Sequence, residues 1–97
     1  MRLASITTEP MTNRSCTTPA GGAVTVMERN PRRQYLYLKN TSAGTIYWNI
    51  DIDATGTGTD MPLPAGEEFK QDGRFVCDNR ISVYGATALS VTAFEGE

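Results

Sequence analysis

The stretch from Gln34 to Ile50, QYLYLKNTSAGTIYWNI, decides the fold class. In Gln34 to Lys39, Leu36 and Leu38 fall on one side while Tyr35 and Tyr37 fall on the other. That is the period of two of a β-strand, whose successive side chains point to opposite faces. Thr45 to Ile50 repeats it, with Ile46, Trp48 and Ile50 aligned against Tyr47 and Asn49. Between the two lies Asn40 to Gly44, a run of turn formers.

Working outward, the same period recurs. Val24 and Val26 alternate with Ala23, Thr25 and Met27; Ile81 and Val83 alternate with Ser82 and Tyr84; Leu89, Val91 and Ala93 alternate with Ser90, Thr92 and Phe94. Met61-Pro62-Leu63 and Glu67 to Lys70 read as shorter edge strands, because Pro62 has no N–H to donate to a ladder. Pro64-Ala65-Gly66, Asp78-Asn79 and Gly85-Ala86-Thr87 supply turn chemistry. No window places apolar residues at helical spacing over an ordinary helix length. The expectation is an all-β chain, a single antiparallel β-sandwich or small barrel of about seven or eight short strands. Residues Met1 to Ala20 are rich in Thr and Ser, contain Pro10 and Pro19, and hold no sustained period. They read as an extended N-terminal arm with a short strand near Ser15 to Thr17, and residues 21–97 as the sandwich domain.

Both strands of the opening stretch carry aromatic side chains opposite their aliphatic rows, so a second cover is expected. Three readings stay open. Either the arm or a long loop packs there, or the tyrosines simply stand half-exposed with wet hydroxyls, or the aromatic rows form a subunit interface.

Composition narrows the chemistry. A chain of 97 residues makes one domain with a thin stability margin. Hydrophobic residues at 39% and charged residues at 21% fit neither a disordered chain nor a membrane protein. No apolar run approaches the ~20 residues that span a bilayer, and residues 1–13 do not read as a secretory signal. The net charge of −2 gives no basic surplus for nucleic acid. Only Arg29, Arg32 and Arg33, around Pro31, point that way, and a structural or protein-contact role is the stronger reading. The chain has no histidine, which removes the commonest general base and metal ligand. Cys16 and Cys77 form no C-x-x-C pair; a disulfide between them requires an oxidising compartment, and buried or half-buried free thiols are expected. No enzymatic activity and no cofactor is expected.

The stretch from Asp51 to Asp60 copies the opening of a calcium loop, with Asp51, Asp53, Thr55 and Gly56 in place. It then fails, because the twelfth position is Pro62 where a bidentate glutamate closes such loops. A flexible polar loop is expected and no metal site. Glu67 and Glu68 are adjacent on a strand and point to opposite faces; Glu95 and Glu97 lie at the chain end and are expected to be solvated. Trp48 could offer a sugar-stacking platform, but its parity with Ile46 and Ile50 places it in the core. The sequons at Asn13 and Asn40 have no bearing without secretion.

One order of features is more specific. The strand AVTVM precedes Asn30-Pro31-Arg32-Arg33, which leads into QYLYLKN; then come TIYWNI, a glycine-rich excursion, Leu63-Pro64-Ala65-Gly66-Glu67, Ile81 to Val83 and Ser90 to Gly96. Over Ala23 to Gly96 this resembles small bacteriophage virion structural proteins of the capsid decoration (cement) or head-fibre type, with an N-P-x-R loop, an L-x-L-x-N strand, a P-A-G or P-G-G turn and a final V-T-V-x-E strand, in which this chain has Ala93 in place of the second valine. The resemblance implies a non-enzymatic protein that binds and stabilises an assembled shell. Its implied partners are the major capsid protein and itself, as a homotrimer, with no nucleic acid and no membrane. Its implied location is the virion, assembled in the host cytoplasm. Arg32, Arg33, Tyr35, Tyr37 and Tyr47 are the expected protein-contact residues. The alternative is a receptor- or glycan-binding module of a phage tail or fibre.

Overall fold

The computed structural model describes residues 11–72 and 76–97. Among them are nine strands and no helix, arranged as two antiparallel sheets packed face to face. The strands are β1 (Met11–Asn13), β2 (Cys16–Thr17), β3 (Gly22–Met27), β4 (Tyr35–Asn40), β5 (Ile46–Ile50), β6 (Met61–Leu63), β7 (Glu68–Asp72), β8 (Ile81–Gly85) and β9 (Ser90–Gly96). The first sheet runs β1-β9-β4-β7, with β2 also on β9; the second runs β3-β8-β5-β6. The all-β sandwich expected from the period of two is therefore the fold, as two open sheets rather than a closed barrel.

Register explains why the core forms. Leu36 lies opposite Glu95 and Gln71, and Leu38 lies opposite Ala93 and Phe69, so one face of β4 is turned inward along its whole length. In the second sheet Trp48 and Val24 both flank Val83, and Ile50 flanks Ile81. Leu36, Leu38, Ile46, Ile81 and Val83 are completely buried. Each such side chain contributes about 1.5–3 kcal/mol by leaving water. The register of β3 shifts between Thr25 and Met27, and this bulge buries both Val26 and Met27.

Part of the expected arm belongs to the first sheet. Met11 to Asn13 pair with Phe94 to Gly96, and Cys16 and Thr17 pair with Val91 and Ser90. The strand foreseen near Ser15 to Thr17 is β2. The remainder of the expected arm, residues 1–10, lies outside the described residues. Thr18, Pro19 and Ala20 then cross to the second sheet. Thr18 is buried and its Oγ1 donates to the Thr87 carbonyl at 2.9 Å while accepting the Leu89 N–H at 3.0 Å.

Candidate interaction face and the buried polar clusters

Three polar clusters and one aromatic face cover the chemistry-bearing residues. The first cluster begins at Asn30-Pro31-Arg32-Arg33. Asn30 Oδ1 accepts the Arg32 N–H at 3.1 Å and its carbonyl accepts the Arg33 N–H at 3.0 Å. This tight turn swings Arg33 inward and leaves Arg32 outside. The Arg33 guanidinium is fully buried. Its Nε donates to Glu95 Oε1 at 2.8 Å, Nη1 to the carbonyls of Cys77 (2.7 Å) and Asn79 (3.0 Å), and Nη2 to the Glu28 carbonyl (2.8 Å). Glu95 also receives Asn30 Nδ2 at 3.2 Å and Arg14 Nε at 2.8 Å. Burial pushes the Glu95 pKa up, but the bonds from Arg33, Asn30 and Arg14 and the charge of Arg33 outweigh it. The carboxyl is held below the ordinary glutamate value.

Two expectations are corrected here. Arg33 is not a surface contact residue: its planar fork of donors matches three carbonyls and a carboxylate inside the molecule. Glu95 is not solvated despite its place near the chain end, because its strand parity carries it into the core row behind Val91 and Ala93. Arg32 is exposed, with Nε 3.6 Å from Glu97 Oε1.

The second cluster closes the opposite end of β4. Asn40 is completely buried; its Nδ2 donates to the carbonyls of Gly44 (2.6 Å) and Leu63 (2.7 Å), and its Oδ1 accepts from Ser42 N (2.9 Å) and Oγ (2.6 Å). Its carbonyl accepts the Gly66 N–H at 2.9 Å. Through its side chain and its carbonyl, this one residue joins the loop after β4, the end of β6 and the Pro64-Ala65-Gly66 turn.

The third cluster is the stretch from Asp51 to Asp60, expected as a flexible polar loop. It is pinned to the outer face of β8. Ser82 Oγ accepts the Ala54 N–H and donates to the Ile52 carbonyl, both at 2.8 Å. Gly56, at φ 80°, lies against the Tyr84 ring. Asp60 Oδ2 accepts the N–H groups of Thr55 (2.7 Å) and Gly56 (2.6 Å), and Oδ1 accepts Asn49 Nδ2 at 2.9 Å. Burial raises the Asp60 pKa, and the bonds from Asn49, Gly56, Thr55 and Thr57 lower it further than that, so the net shift is downward. The three aspartates do not converge. Asp53 pairs with Arg80 at 3.0 Å and Asp51 Oδ2 accepts Asn79 Nδ2 at 2.7 Å, so each carboxylate faces its own partner.

The aromatic face is the outer side of the first sheet. Tyr35 and Tyr37 of β4, Phe94 of β9 and Met11 of β1 lie on it, with Glu68, Lys70 and Asp72 of β7 along one margin. The Tyr37 and Phe94 ring centroids are 6.4 Å apart. Tyr37 Oη donates to Glu68 Oε2 at 2.6 Å, and that bond, with burial and the nearby charges, raises the tyrosine pKa. Among the described residues no loop is hydrogen-bonded across this face, whereas the second sheet is covered by its own Asp51–Asp60 loop. Tyr47 lies on the outer side of that second sheet beside Tyr84. The expected contact residues are therefore split: Tyr35 and Tyr37 on one face, Tyr47 on the other, Arg32 at a loop tip and Arg33 inside.

Trp48 is in the core, 4% exposed, with its ring centroid 4.7 Å from that of Phe69, and offers no stacking platform to a sugar. Cys16 and Cys77 are half-buried free thiols, and burial pushes the Cys16 thiol up. No protein-family model, curated protein or solved structure matches the chain.

Proposed function

We propose that this protein is a non-catalytic structural component of a bacteriophage particle, a decoration protein that binds the assembled shell through the outer face of its first sheet. The shell reading rests on the resemblance over Ala23 to Gly96. The contact reading rests on one observation: among the described residues, the sheet that carries Tyr35, Tyr37 and Phe94 outward has no loop tied across it, while its counterpart does. Aromatic side chains gain most by leaving water at a protein contact, since each combines a large apolar area with few rotatable bonds. The partners under this reading are the major capsid protein and further copies of the chain. The test is addition of purified protein to shells that lack it. Saturable binding is expected, with Tyr35→Ser and Phe94→Ser lowering affinity at least tenfold while the fold is kept. Absence of binding by the unaltered protein would sink the reading.

A further inference from the structure

The two sheets have four edges, one of them formed by β1 and β2 together, and three of the four are blunted. β6 is three residues long and holds Pro62; β3 has a register shift at Val26; β1 and β2 are interrupted between Asn13 and Cys16. Short length, proline, bulges and breaks are the devices by which natural sheets avoid edge-to-edge pairing. β7 has none of these; of the usual devices it carries only charged side chains, Glu68, Lys70 and Asp72. It pairs with β4 in unbroken register from Tyr35 opposite Asp72 to Lys39 opposite Glu68, and no strand lies on its other side among the described residues.

We infer that β7 is a self-association edge, pairing antiparallel about a twofold axis with β7 of a second copy. Charge selects the register. Glu68, Lys70 and Asp72 share the outer face, and directly opposite residues of an antiparallel pair also share a face. Pairing centred on Lys70 sets lysine against lysine and Glu68 against Asp72, so it is rejected. Pairing centred on Gln71 sets Lys70 against Asp72 but meets glutamine with glutamine on the inner face. Pairing centred on Phe69 sets Glu68 of each copy against Lys70 of the other, giving two opposite-charge pairs together with an apolar centre. Among the described residues Lys70 has no ion-pair partner within its own chain, and Glu68 has only the Tyr37 hydroxyl. The inner face agrees. The same register brings the two Phe69 side chains together beside a cavity of about 180 Å³ lined from both sheets, in part by Trp48, Met61 and Phe69. Met61, 40% exposed, stands at that margin.

The contact is twofold and independent of the shell reading, so it is tested without capsids. Light scattering on the full chain over a concentration series should approach twice the 10.6 kDa chain mass. Lys70→Glu and Glu68→Lys each turn both attractive pairs into like-charge pairs, and each alone should raise the dissociation constant about tenfold. Mixed together they restore opposite charges across the edge, and the mixture should associate as the unaltered chain does. Unchanged Trp48 emission shows that each variant is folded. A chain that stays monomeric, a trimer, variants that dimerise undiminished, or a mixture no more associated than its components overturns the inference.

Discussion

Glu95 and Asn40 sit in rows otherwise filled by valine, alanine and leucine, and each is tolerated there because its polar atoms meet partners. Breaking such a set is costlier than never having it, since the remaining group stays buried and unpaired. Arg33→Met strips three carbonyls and Glu95 of their donor; a loss of about 3–5 kcal/mol is expected from urea titration followed by Trp48 fluorescence. Asn40→Ala should cost about 1–3 kcal/mol. Asn40→Asp should cost more at neutral pH, because a carboxylate oxygen would then face the Gly44 and Leu63 carbonyls. Acid acts at the same places. The folded pKa values of Glu95 and Asp60 lie below their ordinary values, so the unfolded chain binds more protons in acid. Their contribution is complete above about pH 4–4.5, the ordinary carboxylate range, and is lost as pH falls through the lowered folded values. Melting temperature should therefore be flat near neutrality and fall steeply in acid. Glu95→Gln should flatten the acid limb while lowering the neutral plateau.

At the scale of elements, the loop from Asp51 to Asp60 acts as a lid fixed on the second sheet. Gly56 decides its seat: φ is 80°, and a Cβ there would lie 2.5 Å from Cε1 of Tyr84. Gly56→Ala is expected to cost on the order of 1–3 kcal/mol through strain and displacement of the ring. Gly66 has nearly the same φ, 81°, with open space around it; Gly66→Ala should cost about 1 kcal/mol, from the backbone alone. Chemical denaturation of the pair separates the ring contact from the backbone strain. At the other edge, residues 11–17 pair only with β9, and all but Cys16 are exposed. Hydrogen exchange should find their amides opening well before those of β4 and β9, whose strands are flanked on both sides.

Taken whole, the molecule offers its proposed shell contact only a small area. Four strands about 4.8 Å apart and five residues at about 3.3 Å each give about 300 Å², against about 800 Å² per partner in a standard stable interface. One such face binds weakly. Under the proposed reading, many identical sites on a shell and the inferred self-association would engage together, and linked contacts gain affinity without new ones. Retention on assembled shells is thus expected to exceed binding to isolated capsid subunits by about a hundredfold, measured by co-sedimentation against solution titration.

The period of two, written in Gln34 to Ile50 and repeated at Val24, Ile81 and Val91, determined that the chain is all-β and which side chains face inward. It determined this because a strand's alternation is a local property that needs no partner to be read. The same parity held the signal for both buried clusters: Asn40 continues the Leu36–Leu38 row and Glu95 continues the Val91–Ala93 row. A polar residue in a core row demands a partner, but not which one. Only the tertiary structure decided that Arg33 reaches Glu95 across 62 positions, that Arg14 joins it across 81, and that Asn40 meets Leu63. It also decided where the Asp51–Asp60 loop lies, by folding it onto β8 of the second sheet, while among the described residues no loop is tied across the face of Tyr35 and Tyr37. Partners distant in sequence are fixed by how two sheets stack, and stacking is a property of the whole chain at once.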